Sequence, residues 1–145
     1  MESKFTLREL DENDYNLNYL DVLSQLTTVG TVTHAMFIEF IKNKSANHHI
    51  YVIHDKESNK IIGTGTLLIE DKIIHSCGKV GHVEDIVVDN KFRGSGLGKQ
   101  IIDLLKQIAI NKKCYKIILD CSAENVSFYG KCGFVTKEIQ MVIYL

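Results

Sequence analysis

Val83-Glu84-Asp85-Ile86-Val87-Val88 reads as an apolar strand end, and Arg93-Gly94-Ser95-Gly96-Leu97-Gly98 follows it into the amphipathic run Leu97 to Ile110. A strand, a glycine-rich loop and a helix in that order create a bend where several backbone N–H groups face one point. The start of the helix adds unpaired N–H groups and a partial positive charge. Such a cradle suits an anion, most naturally a pyrophosphate. Spacing excludes two common phosphate loops. A P-loop needs glycine where Arg93 stands and Ser or Thr where Gln100 stands; a dinucleotide fingerprint needs glycine where Lys99 stands. The pattern left is Arg-x-x-Gly-x-Gly, and a glycine turn with no ligand is the plain alternative.

The composition narrows the class. With 145 residues, 45% of them hydrophobic and 24% charged, the chain is long enough for one globular domain with a real core, and residues 1–145 are expected to form it. A formal net charge of −1 does not suggest a nucleic-acid surface or a polybasic membrane surface. No apolar run approaches the length of a membrane span, and Met1-Glu2-Ser3-Lys4 lacks the apolar core of a signal peptide, so a cytoplasmic protein is expected. Cys77, Cys114, Cys121 and Cys132 form no Cys-x-x-Cys pair and sit in apolar segments, which predicts reduced, buried thiols. The six histidines are scattered, and no metal site is expected.

Around the central strand-loop-helix the periodicities predict the rest. Phe5 to Arg8 reads as a first strand. Leu17, Leu20, Leu23 and Leu26 recur at helical spacing and predict a helix over Tyr15 to Gln25. Thr33 caps a second helix carrying Met36, Phe37, Phe40 and Ile41. His49 to His54 and Ile61 to Glu70 form a hairpin about the turn Glu57 to Lys60. Lys72 to Lys79 is a loop or strand extension. Val80 to Val88 is a strand apolar enough toward its end to be covered on both faces, with the acids Glu84 and Asp85 either at a solvated edge or held for a task. Gly96 to Ile110 is the central helix and Tyr115 to Cys121 a buried strand. Ser122 caps a helix over Ala123 to Lys131, Gly133 ends it, and Phe134 to Leu145 closes the chain as a strand. The order predicts an α/β mixed sheet with helices on both faces and a right-handed crossover from Val88 through the central helix to Tyr115. A ligand belongs outside the carboxyl ends of those parallel strands.

The loop Arg93 to Gly98 resembles the coenzyme A pyrophosphate loop of the GNAT superfamily of N-acetyltransferases. Asn125-Val126-Ser127-Phe128-Tyr129, with Gly133-Phe134 after it, resembles the fourth-helix motif of the same family. Four further strings are similar to the branch that acetylates glucosamine 6-phosphate: Leu26 to Thr33, Lys72-Ile73-Ile74-His75, Gly81 to Val88 and Cys114 to Cys121. The resemblance implies a GNAT fold with two adjacent parallel strands splayed apart. It also implies acetyl transfer from acetyl-CoA, a cosubstrate, to the amine of glucosamine 6-phosphate, on the amino-sugar route to UDP-N-acetylglucosamine.

The site residues follow from the same resemblance. Backbone groups of Arg93, Gly94, Ser95, Gly96, Leu97, Gly98 and Lys99 would hold the pyrophosphate. Those of Ile86, Val87 and Val88 would pair with the pantetheine arm as a pseudo-strand, and an N–H near Ile86 would face the developing oxyanion. Glu84, Asp85 or the carbonyl of Asp120 would take the amine proton. Tyr129 would protonate the leaving thiolate, and Asn125 would bond the CoA arm. An acetyl-cysteine route through Cys121 is the rival to direct transfer. Thr27, Lys72, Ile73, Ile74, His75, Tyr115 and Lys116 would contact the sugar phosphate, with Glu84, Asp85, Ile86 and Asp120 lining the amine end. The family commonly ends its last strand with an Arg at the position of Tyr144, and His75 with Lys116 would compensate. Ile139 to Leu145 is too apolar for a bare edge, so a homodimer through the last strand is expected. Two other readings stay open: a GNAT enzyme with another small or protein amine as acceptor, and a non-catalytic acyl-CoA-binding module.

Overall fold

The computed structural model describes residues 3–145. Five strands form one sheet in sequence order: β1 (Phe5–Glu9), β2 (His48–Asp55), β3 (Lys60–Asp71), β4 (Lys79–Val88) and β5 (Cys114–Ile118). The first three junctions are antiparallel; β4 and β5 run parallel. One face carries α1 (Tyr19–Ser24) and α2 (His34–Asn43), and the other carries α4 (Leu97–Asn111), which is the expected arrangement.

Helix α4 forms because Leu97, Ile101, Ile102, Leu105 and Ala109 recur at helical spacing and bury a single stripe. That stripe lies on Leu67, Ile69 and Val83 in one cluster and on Ile53 and Ile62 in another. Ile101, Ile102 and Leu105 are fully buried, each worth about 1.5–3 kcal/mol by area. Glycines on the facing strands let the helix approach. A Cβ on Gly81 would stand 2.8 Å from Ile117 and 2.9 Å from Leu67. On the opposite face Tyr19, Val22 and Phe37 close over Ile50, Val52 and Ile61.

The expected first helix is broken. Asp11 caps a 3-10 turn over Glu12–Asn16, Asn18 turns left-handed (φ 73°), and the helix restarts at Tyr19. Leucine spacing alone could not see this, because the break is set by Asp14. Fully buried, Asp14 accepts from the Asp11 N–H at 2.9 Å and from both Arg8 guanidinium nitrogens at 2.7 and 2.9 Å. Asp14 is the buried partner and Arg8 is part-exposed, so losing Arg8 would leave the Asp14 charge without its counterion. Thr33 caps α2 as expected, its hydroxyl oxygen accepting from the Met36 N–H at 3.2 Å. Ser122 does not cap as expected: a 3-10 turn at Ala123–Asn125 precedes α5 (Val126–Lys131), and the Ser122 hydroxyl instead accepts from the Asn125 amide at 3.1 Å. Gly133 does end α5. At φ 99° it donates to the Gly130 carbonyl while Phe134 donates to that of Tyr129, a Schellman turn.

Three other expectations are corrected. Lys72 to Lys79 contains the single turn α3 (Ile74–Cys77), where His75, Ser76 and Cys77 all adopt positive φ (52°, 59° and 59°). Left-handed backbone costs non-glycine residues about 1–2 kcal/mol each. The turn is held by bonds from Cys77 and Gly78 to the Ile73 and Ile74 carbonyls, and by stacking of His75 on Tyr115. The thiols are free, but Cys77 and Cys121 are exposed and only Cys132 is buried. Phe134 to Leu145 is not a strand. A strand needs a ladder partner, and beyond Phe134 this arm projects from the molecule with Ile139, Met141 and Tyr144 each at least 90% exposed.

Candidate acyl-transfer site

Strand β4 runs to Val88, yet its ladder with β5 ends at the pair His82–Ile118. β5 was expected to run on to Cys121. It stops at Ile118, and from Val83 onward the outer edge of β4 has no β5 partner. The two parallel strands therefore splay, leaving a slot that opens toward the carboxyl end of β4.

Within the slot β4 is irregular. Thr64 pairs with Val87 and Thr66 with Glu84, so Asp85 and Ile86 together oppose Gly65 alone. This is a β-bulge, and Asp85 takes the left-handed conformation it requires (φ 51°). Strict alternation would send Glu84 and Asp85 to opposite faces. The bulge resets the phase: Ile86 and Val88 pack under α4, while the Asp85 charge is felt by Tyr19 and His48 on the other side. Glu84 is held above its ordinary pKa by partial burial, then by the charges of Asp120 and Asp85. The charges of Asp85 and Asp120 are both felt at Glu84. The Asp120 carboxylate accepts from the Gln140 side chain at 2.8 Å, which brings the arm to the edge of the slot.

At the end of β4 the loop is pinned from several sides. The Asp89 N–H donates to the Ile62 carbonyl, the Arg93 Nε donates to the Val88 carbonyl at 3.0 Å, and the Ser95 hydroxyl donates to the Phe92 carbonyl. Gly94 and Gly96 sit at φ 83° and 81° with open space where a side chain would stand. Gly96 is the N-cap of α4 and offers no capping side chain, so the N–H groups of Leu97, Gly98 and Lys99 are presented outward. The Lys99 ammonium is paired with Asp103 at 2.7 Å on the exposed face of α4. The two sequence motifs meet here: a Cβ on Gly98 would lie 3.2 Å from the Phe128 ring. Tyr129 stands edge-on to Phe128 and Phe134, and burial raises its hydroxyl pKa, with smaller contributions from Cys121 and Cys132. The Asn125 amide is bonded to Ser122.

The predicted sugar contacts fall into two groups. His75 stacks on Tyr115 at 4.1 Å, and the Lys116 ammonium lies 5.9 Å from the same ring. Lys116 lies on β5 four residues before Asp120, and the strand ends between them. Lys72 reaches back toward the slot, bonded at 3.2 Å to Glu70, which also meets His82 Nε2 at 2.9 Å. Ile73 and Ile74 are exposed, as is Thr27 beyond the end of α1. Glu70 and His82 were missed from sequence because they lie on different strands.

The strand splay and glycine loop identify an acetyltransferase architecture, and the comparison agrees: the Acetyltransferase (GNAT) family matches residues 11–134, so the chain belongs to that family. More particularly, it is 44% identical over 147 aligned positions to glucosamine 6-phosphate N-acetyltransferase of Arabidopsis thaliana, covering 99% of each chain. It is 48% identical over 143 positions to glucosamine 6-phosphate N-acetyltransferase 1 of Dictyostelium discoideum, covering 97% of this chain and 90% of that one. The crystal structure of the Arabidopsis protein matches with a TM-score of 0.93 at 43% identity, over 98% of this chain and 99% of that one. Among the described residues, no helix is long and apolar enough to cross a membrane.

Proposed function

We propose that the chain, as one domain over residues 1–145, transfers the acetyl group of acetyl-CoA to the amine of D-glucosamine 6-phosphate, giving N-acetyl-D-glucosamine 6-phosphate and CoA. The observation that carries this is the open edge of β4 between the outward N–H groups of the Gly94–Lys99 loop and the carboxylates of Glu84, Asp85 and Asp120. The names of the near-full-length relatives supply the acceptor.

In this reading the diphosphate sits on the loop and the first turn of α4. The pantetheine amides pair with the free edge at Ile86 to Val88, with the Val88 carbonyl already taken by Arg93. The amine lies near Asp120, and Glu84, with its raised pKa, accepts its proton. The Ile86 N–H steadies the oxyanion. Tyr129 keeps its proton across the neutral range and gives it to the leaving thiolate. The phosphate is met by Lys72 and by the His75–Tyr115–Lys116 group. A second copy completes the site: its exposed apolar C-terminal arm covers the β5 edge, and the protein works as a cytoplasmic homodimer.

The test is free CoA release with a panel of amino sugars. Release with glucosamine 6-phosphate, and little with glucosamine or with polyamines, is the expected outcome. Preference for another amine would reassign the acceptor, and CoA binding without turnover for any amine would make this a binding module.

A further inference from the structure

We propose that Gly65, on β3 and across β4 from the slot, is a positioning residue for acyl transfer: its missing side chain is the seat of Ile86, and that seat holds the β4 bulge in register. The inference rests on the reading of Ile86 as the residue beside the thioester. Gly65 has no positive φ, so its backbone does not demand glycine. The space does. A Cβ there would lie 2.6 Å from the Ile86 Cδ1, with Ile101 Cδ1 and Cγ1 at 3.2 and 3.3 Å. Gly65 is also the single β3 residue opposed by two residues of β4.

These two facts are coupled. A bulge needs one strand to accommodate an extra residue, and here the residue after it, Ile86, leans across the ladder onto Gly65. Ile86 is β-branched and stiff at χ1; its Cδ1 turns about χ2, but the Ile101 Cδ1 and Cγ1 crowd the same seat over Gly65. It also packs in one cluster with Ile53, Leu97 and Ile101, so it cannot swing aside without disturbing α4. A methyl at position 65 therefore pushes Ile86 outward and shifts the backbone between Asp85 and Val87. That displacement moves the Ile86 N–H and alters which face Glu84 and Asp85 present. The diphosphate loop, several residues further on and pinned by Asp89 and Arg93, is not touched.

The test is Gly65→Ala, assayed for CoA affinity, kcat and thermal unfolding, beside the double variants Gly65→Ala/Ile86→Val and Gly65→Ala/Ile101→Val. Gly65→Ala should lower kcat about 10²-fold while changing the CoA dissociation constant less than about threefold. Removing the Ile86 Cδ1 in the first double variant should restore kcat by about tenfold or more, since the obstruction is gone and the backbone N–H remains. Turnover in Gly65→Ala within about twofold of the parent overturns the proposal. So does recovery with Ile101→Val in place of Ile86→Val, which would make Gly65 a spacer for α4. If Gly65→Ala does not fold, the Ile86 double variant decides: folded and active supports the proposal, and any other result overturns it. The parent enzyme's own activity with glucosamine 6-phosphate separates these outcomes from failure of the functional reading.

Discussion

Glu84 and Tyr129 are two groups of the proposed site whose pKa values burial raises, and the proposed chemistry gives each shift a use. Tyr129→Phe removes one oxygen and leaves the ring stack on Phe128 and Phe134 intact. Steady-state kinetics should show kcat lowered about 10²-fold, with acetyl-CoA affinity nearly unchanged. For Glu84 the raised pKa has a sign that can be checked. The folded state penalises its charge, so stability falls as pH rises from the ordinary carboxylate pKa of 4.5 through the raised folded value. Glu84→Gln should therefore raise the melting temperature at neutral pH by roughly 1–3 °C, a gain that disappears in acid, where both folded and unfolded chains carry the proton. The same substitution should lower kcat about 10²-fold and remove the acid limb of the pH–rate profile. The residue types were legible from sequence, since two acids inside an apolar strand stand out. Their shared face was not, because period-two alternation separates neighbours and only the bulge at Gly65 unites them.

At the scale of elements, the loop and helix α4 were read nearly to the residue. Their signals are local: an apolar stripe at helical spacing, and glycines where φ must be positive. Gly96→Val tests the loop. Valine at φ 81° adds strain of about 1–3 kcal/mol and places a branched side chain over the outward N–H groups. Isothermal titration should show CoA binding lost while the circular dichroism spectrum is retained; normal CoA affinity would make the loop a mere turn. Where elements depend on distant partners the sequence misled. The first helix was drawn through Leu17 and Asn18 because leucine spacing continues there, but the buried Arg8–Asp14 pair closes a separate turn. The expected length of β5 failed for a related reason: Leu119-Asp120-Cys121 is as strand-like in composition as the residues before it, and only the divergence from β4 ends the ladder.

For the whole molecule the unsettled surface is the arm after Phe134. Ile139 and Ile143 are 90% and 85% exposed, as apolar as core residues yet contributing nothing to this chain's own packing. Ile139→Asp with Ile143→Asp should leave the unfolding temperature of the separated subunit close to that of the parent chain, since no core contact is lost. For the proposed homodimer, sedimentation should shift from dimer in the parent to monomer in the double variant, and turnover with glucosamine 6-phosphate should fall with it. A double variant that sediments as a dimer would show that the arm is not the contact between copies.

What residue order alone settled is the strand–loop–helix unit, the glycine positions where its loop turns left-handed, and the apolar stripe by which α4 meets the sheet. Chemistry at that range depends on φ preferences and on which side chains share a face. Three-dimensional packing settled where the ladder between β4 and β5 stops and why Glu84 and Asp85 lie together. Each depends on residues distant in sequence, Gly65 against Ile86 above all, competing for the same few cubic ångströms.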